Sequence, residues 1–535
     1  MAIEKVKTAF TNMSYTPDIP SGALAPTEYN IGQNVETDLR GIKKVAGEQA
    51  ILSTITGHQI FATGNYRNST QFWFIVATQE GKWYGVTSSG ITDLTPTVAQ
   101  YNGSSYTTNT VITASWNGNV LFIMDTVNPP MYLLPSATEI RLYDSSYGDQ
   151  TPNTYVWNYF TSSGWTNLSA AFIRVYASPN VGSILIAGNL TYQNGGTQYN
   201  LPNTLQWSQS FGLNSGPTTW EPTITNTANS LEIPVRGPLV DGFPLNGNFY
   251  LFSYWDCAVM APISYASTSA PVFGITPLTK GRGLLNENCW AVVDNTAYGI
   301  DGRDIWMFNG SAFTNIGNQR VKNWFYNQIN ATYASQIFMV NNTSKNQIEI
   351  YYPDANSTGA CNKMISFRYD FNTWNPPRDV VNAVAGVEAP RWNGSAFNAA
   401  SRGVIYSRGI TGNVTLVQKD IGNSFIGNTA INSYLQRDNI NFGEPYSNRI
   451  QVHRVLPEVY GSGNITIAVG GADSVAQTPI FKPNVVLPVA TSNPWIQVNQ
   501  NVQRVTTIKV SSNDATDTWE ITSANWQISI TEDTR

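Results

Sequence analysis

Histidine and cysteine, which most often supply nucleophiles, general bases and metal ligands, are scarce in this chain. It contains two histidines, His58 and His453, and three cysteines, Cys257, Cys289 and Cys361. Neither group has the spacing of a zinc site, a thiol redox motif or a disulfide framework. The sequence therefore predicts polar strand or turn histidines and buried cysteines, with no catalytic, metal or cofactor site.

Three aspartates, Asp294, Asp301 and Asp304, are close enough in sequence to suggest a cation site. A calcium loop needs oxygen ligands at alternating positions, closed by a bidentate glutamate. Here Gly302 and Arg303 occupy the turn instead. An Asp-Gly pair between apolar runs is a hairpin signal, so a turn is favoured over a metal site.

The segment from Ser512 to Trp519 resembles the Asp-box turn of sialidase-like propellers, Ser-x-Asp-x-Gly-x-x-Trp. Thr516 replaces the glycine, and the segment occurs once. In those proteins the box braces a turn and carries no chemistry. The match favours a β-hairpin here and gives no indication of glycosidase activity, and no pair of catalytic carboxylates is identifiable.

Aromatic residues are abundant, with 16 Trp, 27 Tyr and 22 Phe, and could form sugar-binding platforms. Most lie within apolar runs of strand length, which predicts core packing. Trp116, Trp165 and Trp220 lie in polar, turn-rich contexts. They are the predicted exposed aromatics.

The composition predicts that β-structure positions all of these side chains. Charged residues make up 12% of the 535 residues, about half the usual share, so Asn, Gln, Ser, Thr and Gly must form the polar surface. Such residues favour turns and strand faces over helix interiors. The net charge of −5, without a cluster of Lys and Arg, argues against ordinary DNA binding. No signal peptide or membrane segment is recognisable, which predicts synthesis in the cytosol.

Residues 46–430 consist of short apolar runs separated by Gly, Asn and Asp turns. Residues 72–77 and 82–86 flank a Glu-Gly turn, and three runs follow one another at 289–294, 297–302 and 305–310. Repeated radial strands with aromatic residues between them are typical of β-propeller blades. A β-propeller over 46–430 is therefore predicted, with a sandwich or stacked hairpins as the alternative.

The flanking regions are predicted to differ from this central part. Residues 1–45 form a proline-containing N-terminal arm or platform segment, which ends in a turn and a short strand at 38–45. Residues 431–535 alternate apolar and polar side chains, which predicts a C-terminal β-sandwich or platform domain. The spacing of apolar residues at 321–329 predicts one short helix, with Asn318 as its N-cap.

Trp306 lies in the apolar run at 305–310. Alternation places Asp304, Trp306 and Phe308 on one face of a strand, with Ile305 and Met307 on the other. Both faces are largely apolar. The strand is therefore predicted to be central in its sheet, with Trp306 packed between neighbouring sheets.

Three stretches resemble the nozzle proteins (tail tubular protein B, or tail hub) of short-tailed bacteriophages. The first is Asp38-Leu39-Arg40-Gly41-Ile42-Lys43-Lys44-Val45-Ala46-Gly47. The second comprises Leu205-Gln206-Trp207-Ser208-Gln209, Trp220-Glu221-Pro222 and residues 240–252. The third runs from Gly281-Arg282-Gly283-Leu284 through 297–310 to the predicted helix.

The resemblance implies a structural protein of the virion tail, without enzymatic activity. It implies a homo-oligomeric ring, usually a hexamer, below the adaptor ring of the portal, with tail fibres or spikes docked outside. DNA would pass through the lumen of the ring, for which a low-charge, slightly acidic wall is suitable. The residues alone leave two other classes open, a glycan-processing propeller enzyme and a glycan-binding propeller.

Overall fold

The computed structural model describes residues 3–97, 101, 103, 106–107, 110–142, 165–178, 181–194, 196–263, 273–278, 281–409, 413–489, 494–498 and 502–532. Within these residues the protein is mostly β-strand, with one short α-helix and a few 3-10 turns. The predicted all-β class is confirmed. No helix in the described part of the chain has the length and apolar character needed to cross a membrane.

The N-terminal segment forms short strands. They are β1 (Glu4–Ala9), β2 (Ser14–Tyr15), β3 (Glu28–Tyr29), β4 (Ile31–Gln33), β5 (Val35–Thr37), β6 (Ile42–Lys44) and β7 (Glu48–Thr56). A tight turn at residues 38–41 joins β5 to β6, as the sequence predicts. A Cβ at Gly41 would lie 2.1 Å from the carbonyl oxygen of Ile521, so this turn requires glycine.

Five four-stranded antiparallel sheets follow, each formed by strands consecutive in the chain. The first two sheets contain β8 (Gln59–Tyr66), β9 (Phe72–Thr78), β10 (Trp83–Thr87) and β11 (Gly90–Asp93), then β12 (Thr113–Asn117), β13 (Val120–Met124), β14 (Met131–Leu133) and β15 (Arg141–Leu142). The third and fourth contain β16 (Trp165–Ser178), β17 (Gly182–Asn194), β18 (Thr197–Trp207) and β19 (Asn229–Glu232), then β20 (Leu239–Leu245), β21 (Asn248–Ser253), β22 (Cys257–Pro262) and β23 (Phe273–Pro277). The fifth contains β24 (Trp290–Val293), β25 (Thr296–Ile300), β26 (Ile305–Phe308) and β27 (Phe313–Asn315).

A seven-stranded sheet combines residues from both ends of the central region. After helix α1 (Lys322–Gln328) come β28 (Phe338–Asn342), β29 (Gln347–Tyr352), β30 (Cys361–Arg368), β31 (Thr373–Trp392), β32 (Phe397–Arg408) and β33 (Asn413–Lys419). Strand β7 pairs with β33 and completes this sheet. Residues 48–56 are thereby hydrogen-bonded to residues 413–419.

Hydrophobic clusters join each of these six sheets to the next. A further cluster places Ile51 and Ile405 of the seven-stranded sheet against Phe74 and Val76 of the first sheet. All residues of strand β9 are buried, as expected for a continuous apolar run that is covered on both faces. The seven-stranded sheet therefore shares hydrophobic clusters with the fifth sheet and with the first.

The C-terminal strands form two further sheets. They are β34 (Ser433–Ile440), β35 (Asn448–Ser462), β36 (Asn464–Ala472), β37 (Ile480–Phe481), β38 (Val485–Pro488), β39 (Ile496–Gln497), β40 (Val505–Ser512) and β41 (Thr518–Glu532). One sheet has the order β39-β35-β41-β6-β5, with β1 also paired to β41, and the other has the order β37-β36-β40-β34-β4, with β38 on β36. The two sheets share one hydrophobic cluster, and strands from the first 45 residues are part of both. We call these two sheets the platform.

A buried network of charged groups links the platform to the seven-stranded sheet. Glu36 on β5 lies 2.7 Å from the Lys345 ammonium, which is 3.0 Å from Asp420. Asp420 also pairs with Arg378 at 2.7 Å and with Lys419 at 2.8 Å. The three cations hold the pKa of Asp420 well below its ordinary value, against the opposing effect of burial. Asp420 is therefore the central anion of this network.

Helix α1 confirms the predicted helical segment, but the predicted N-cap, Asn318, is wrong. The helix begins at Lys322, and no side chain of its own N-cap residue bonds its first turn. Instead the Asp18 carboxylate accepts hydrogen bonds from the backbone N–H groups of Asn323 at 2.8 Å and Trp324 at 2.7 Å. The physical requirement is an acceptor at the helix start, and a residue some 300 positions away satisfies it as well as a local one.

We expect Asp18→Ala to lower the free energy of unfolding by about 1 kcal/mol, because it leaves two N–H groups without their acceptor. Urea denaturation of the full chain measures this change. Asp18→Asn retains a side-chain oxygen and should lose less than Asp18→Ala. Equal losses in the two variants would contradict a capping role.

Candidate functional site

The sheets of the central region line a half-open cavity of about 420 Å3. Residues of β8, β12, β24, β28 and β31 line it, and most are aliphatic or neutral, such as Ile60, Ile112, Val292 and Met339. A concave pocket of this size is where a small ligand or a catalytic centre is expected first.

Arg174 is the most deeply buried charged residue at this cavity. Its guanidinium group is engaged in hydrogen bonds to other residues of the protein. It donates to both carboxylate oxygens of Asp241, at 2.8 and 2.6 Å, and to the carbonyl oxygen of Ala114 at 2.7 Å. The side-chain oxygen of Asn288 accepts another of its bonds at 3.0 Å. A bidentate guanidinium–carboxylate pair is among the strongest protein hydrogen-bonding arrangements. It ties β16 to β20 and is not free to bind a ligand.

The Asp241 carboxylate is also fully engaged. Besides Arg174, it accepts from the indole N–H of Trp290 at 2.7 Å and from the Asn288 backbone N–H at 3.3 Å. The Arg174 guanidinium lies 5.3 Å from the Trp290 ring centroid, which adds a cation–π contact. Asp241 therefore serves as an anchor between three sheets.

Glu287 is the one carboxyl group near this anchor whose pKa approaches neutrality. Burial and the charge of Asp241 raise the pKa of Glu287 to about 7, and Arg174 opposes the rise. A carboxyl group with such a pKa suits general acid–base chemistry. Glycosidases, however, need a second working carboxyl group, and the neighbouring Asp241 is held by Arg174 and Trp290. The sequence analysis did not identify Glu287, since its pKa depends on the groups that the fold places around it.

At another part of the cavity wall, Glu388 accepts hydrogen bonds from the backbone N–H and the hydroxyl of Thr343. Asn341 donates to the carbonyl oxygen of Val292 at 3.5 Å, while its own side-chain oxygen is buried without a protein partner. That oxygen has almost no accessible surface, so it is not available to a ligand in the cavity.

In the structure, the aspartates that suggested a cation site lie in turns between strands. Asp294 lies at the β24–β25 turn with φ +50°. The Asp301 carboxylate accepts from the backbone N–H groups of Arg303 at 2.7 Å and Asp304 at 2.9 Å. It also pairs with Arg282 at 3.2 Å. These contacts match the predicted turn.

The three cysteines are buried and free, as predicted. Burial raises the pKa of the Cys257 thiol to about 12 and those of Cys289 and Cys361 well above their usual value. Thiols in this state are poor nucleophiles. The two histidines lie apart, His58 next to β8 and His453 within β35, where its ring bonds the Ser529 hydroxyl at 2.9 Å. Within the described residues, no three His, Cys, Asp or Glu side chains form a group suited to a metal ion.

The segment that resembles an Asp-box is a braced turn but not a hairpin. The Ser512 hydroxyl donates to Asp517 at 2.8 Å, and the Trp519 indole donates to Ser433 at 3.0 Å. The flanking strands β40 and β41 belong to different platform sheets. The hairpin prediction is wrong because the same turn chemistry also suits a connection between two sheets.

The prediction that Trp116 and Trp220 are exposed is wrong. Trp220 is completely buried in the cluster between the second and third sheets. Trp116 is half-buried, and its indole donates to the Thr63 hydroxyl at 3.0 Å. The Trp165 side chain lies outside the described residues. Polar neighbours in sequence did not predict exposure, because tertiary packing covers these rings.

Comparisons with known proteins give little further information. No family model and no curated protein matches this chain. An exo-β-1,3-galactanase from Phanerochaete chrysosporium, with galactose, is similar at 10% identity and a TM-score of 0.23, over 90% of this chain and 100% of that chain. A variant of that enzyme with β-1,3-galactotriose has 8% identity and a TM-score of 0.24, over 91% and 100% of the two chains. BBS1N in complex with ARL6DN has 9% identity and a TM-score of 0.33, over 70% and 97%. At TM-scores this low, the likenesses carry no inference about activity.

Proposed function

We propose that this chain is a non-enzymatic structural subunit of the tail nozzle of a short-tailed bacteriophage. In this proposal the six central sheets are the blades of a β-propeller, closed by the pairing of β7 with β33. Several subunits, six in the implied arrangement, form a ring below the adaptor. The ring conducts DNA through its lumen and carries fibres or spikes outside.

The observation that carries the proposal is the way the platform is built. Both ends of the chain contribute strands to it: β1 and β6 pair with β41, β5 pairs with β6, and β4 pairs with β34. The buried charges around Asp420 then fix the platform to the seven-stranded sheet, and the Asp18 cap ties the segment between β2 and β3 to α1. Such a rigid block suits a load-bearing ring subunit.

Two further observations support a structural role. The first stretch that resembles nozzle proteins forms β6 of the platform and the turn before it, and the third stretch forms the fifth sheet and α1. At the cavity, the charged groups of Arg174 and Asp241 are engaged in hydrogen bonds between sheets. A propeller enzyme would need such groups to converge on a substrate.

We expect a closed ring to be the functional unit. Mass photometry of the purified chain, alone and after incubation with adaptor rings of a short-tailed phage, tests this. The expected result is a species near six times the mass of one chain, bound to the adaptor. A chain that remains monomeric in both preparations would contradict the proposal.

The competing enzyme class requires a separate measurement on the same preparation. Incubation with polysaccharides, peptidoglycan and sialosides should release no product. Turnover that disappears in Glu287→Gln would favour a glycan-processing enzyme and overturn the structural proposal.

A further inference from the structure

Trp255 is the one exposed tryptophan among the residues whose burial the structure describes, with 55% of its surface accessible. It lies in the turn between β21 and β22, beside Tyr254, which is 42% exposed. Their ring centroids are 6.2 Å apart. Two adjacent exposed rings leave apolar surface in water that a ligand could cover.

The indole is held in place although it is exposed. The Ser253 hydroxyl oxygen accepts from the backbone N–H groups of Trp255 and Asp256, both at 3.1 Å. A Cβ on Gly237 would lie 2.7 Å from the indole ring, and the φ of +149° at Gly237 also favours glycine. The ring therefore rests on the bare backbone of Gly237, in an orientation that is fixed before any ligand arrives.

Two arginines flank the indole. The Arg236 side chain pairs with Asp256 at 3.0 Å and is 77% exposed, whereas that of Asp256 is 17% exposed. Arg303 donates to the carbonyl oxygen of Trp255 at 3.1 Å and pairs with Asp301 at 3.3 Å. Its side chain is 51% exposed, against 1% for Asp301. The guanidinium groups are therefore the solvent-exposed members of these two ion pairs.

We propose that Tyr254, Trp255, Arg236 and Arg303 form a binding site for an acidic polysaccharide. The apolar face of a sugar ring stacks on the fixed indole. The free N–H groups of the planar guanidinium ions then donate to its carboxylate, sulfate or phosphate oxygens. A protein partner fits less well, because two rings and two arginine side chains offer far less surface than the roughly 800 Å2 that each partner buries in a stable interface. This inference does not depend on the nozzle proposal.

Affinity electrophoresis of the full chain in native gels tests the site. Gels containing alginate or polygalacturonate, both uronic-acid polymers, should retard the chain, and gels containing neutral dextran should not. Non-specific attraction to the acidic polymers is disfavoured by the chain's net charge of −5. Trp255→Ala and the double variant Arg236→Gln/Arg303→Gln should each weaken the apparent affinity at least tenfold.

Two variants serve as controls. Tyr460→Ala removes an aromatic ring that is 50% exposed on the platform and should be retarded like the parent. Trp255→Phe keeps a ring and should retain part of the affinity. The proposal is overturned if neither acidic polymer retards the parent, if Trp255→Ala is retarded equally, or if dextran binds as strongly as the acidic polymers.

Discussion

Trp306→Ala should lower the free energy of unfolding by about 3–5 kcal/mol, the usual cost of truncating a buried tryptophan. Trp306 is completely buried on β26, between β25 and β27. Its ring stacks on Phe252 of the preceding sheet at 5.5 Å, with 11° between the planes. Its indole donates to the carbonyl oxygen of Gly283 at 3.1 Å. Truncation therefore leaves a cavity between two sheets and an unpaired carbonyl group.

The opposite strand is adapted to the same ring. A Cβ at Gly299 would lie 2.2 Å from the Trp306 ring, so β25 leaves space for the indole by having no side chain there. Neighbouring residues cannot fill the space left by Trp306→Ala without moving β25, so we expect a loss in the upper part of the range.

A thermal melt of the full chain, followed by circular dichroism, measures the effect. Trp255→Ala is the matched control, because it removes the same side chain from an exposed turn, and it should melt close to the parent. Trp116→Ala should fall between the two, since Trp116 is half-buried and bonded to Thr63. If Trp306→Ala melts like the parent, the contact between the fourth and fifth sheets does not contribute the stability assigned to it.

Asp420→Asn should also cost about 3–5 kcal/mol near neutral pH, because it leaves Lys345, Arg378 and Lys419 buried with one carboxylate fewer. The substitution preserves the shape of the side chain, so the loss reports charge rather than packing. Asp473→Asn is the matched control. Asp473 pairs with Arg449 at 3.4 Å on the surface, where both side chains are well exposed, and such pairs contribute about 0–1 kcal/mol.

The pH dependence of this loss has a defined sign. The pKa of Asp420 is well below its ordinary value in the folded protein, and an unfolded aspartate titrates near pKa ~3.9. The stabilisation by its charge is therefore fully present above about pH 4 and declines as the pH falls toward the folded pKa. Urea midpoints of parent and Asp420→Asn should differ most at pH 7 and less at pH 3.5. A difference that stays constant or grows on acidification would contradict the assignment.

Features set by neighbours along the chain could be predicted from the sequence. Alternation identified the two faces of β26 correctly: Trp306 and Phe308 pack toward the fourth sheet, and Ile305 packs on the other side. Apolar spacing located α1. These features depend on a period of two or 3.6 residues, which is a local property of the chain.

Tertiary structure alone decided which distant segments meet. The pairing of β1 with β41, the cap that Asp18 provides to α1 and the separation of β40 and β41 into different sheets all join residues by contacts between elements. The surroundings of the site residues were likewise decided by the tertiary structure. Trp220 is buried, Trp255 is exposed and Glu287 has a raised pKa because of what packs around each side chain. Burial is a property of the assembled sheets, whereas the sequence specifies only the strands from which they are assembled.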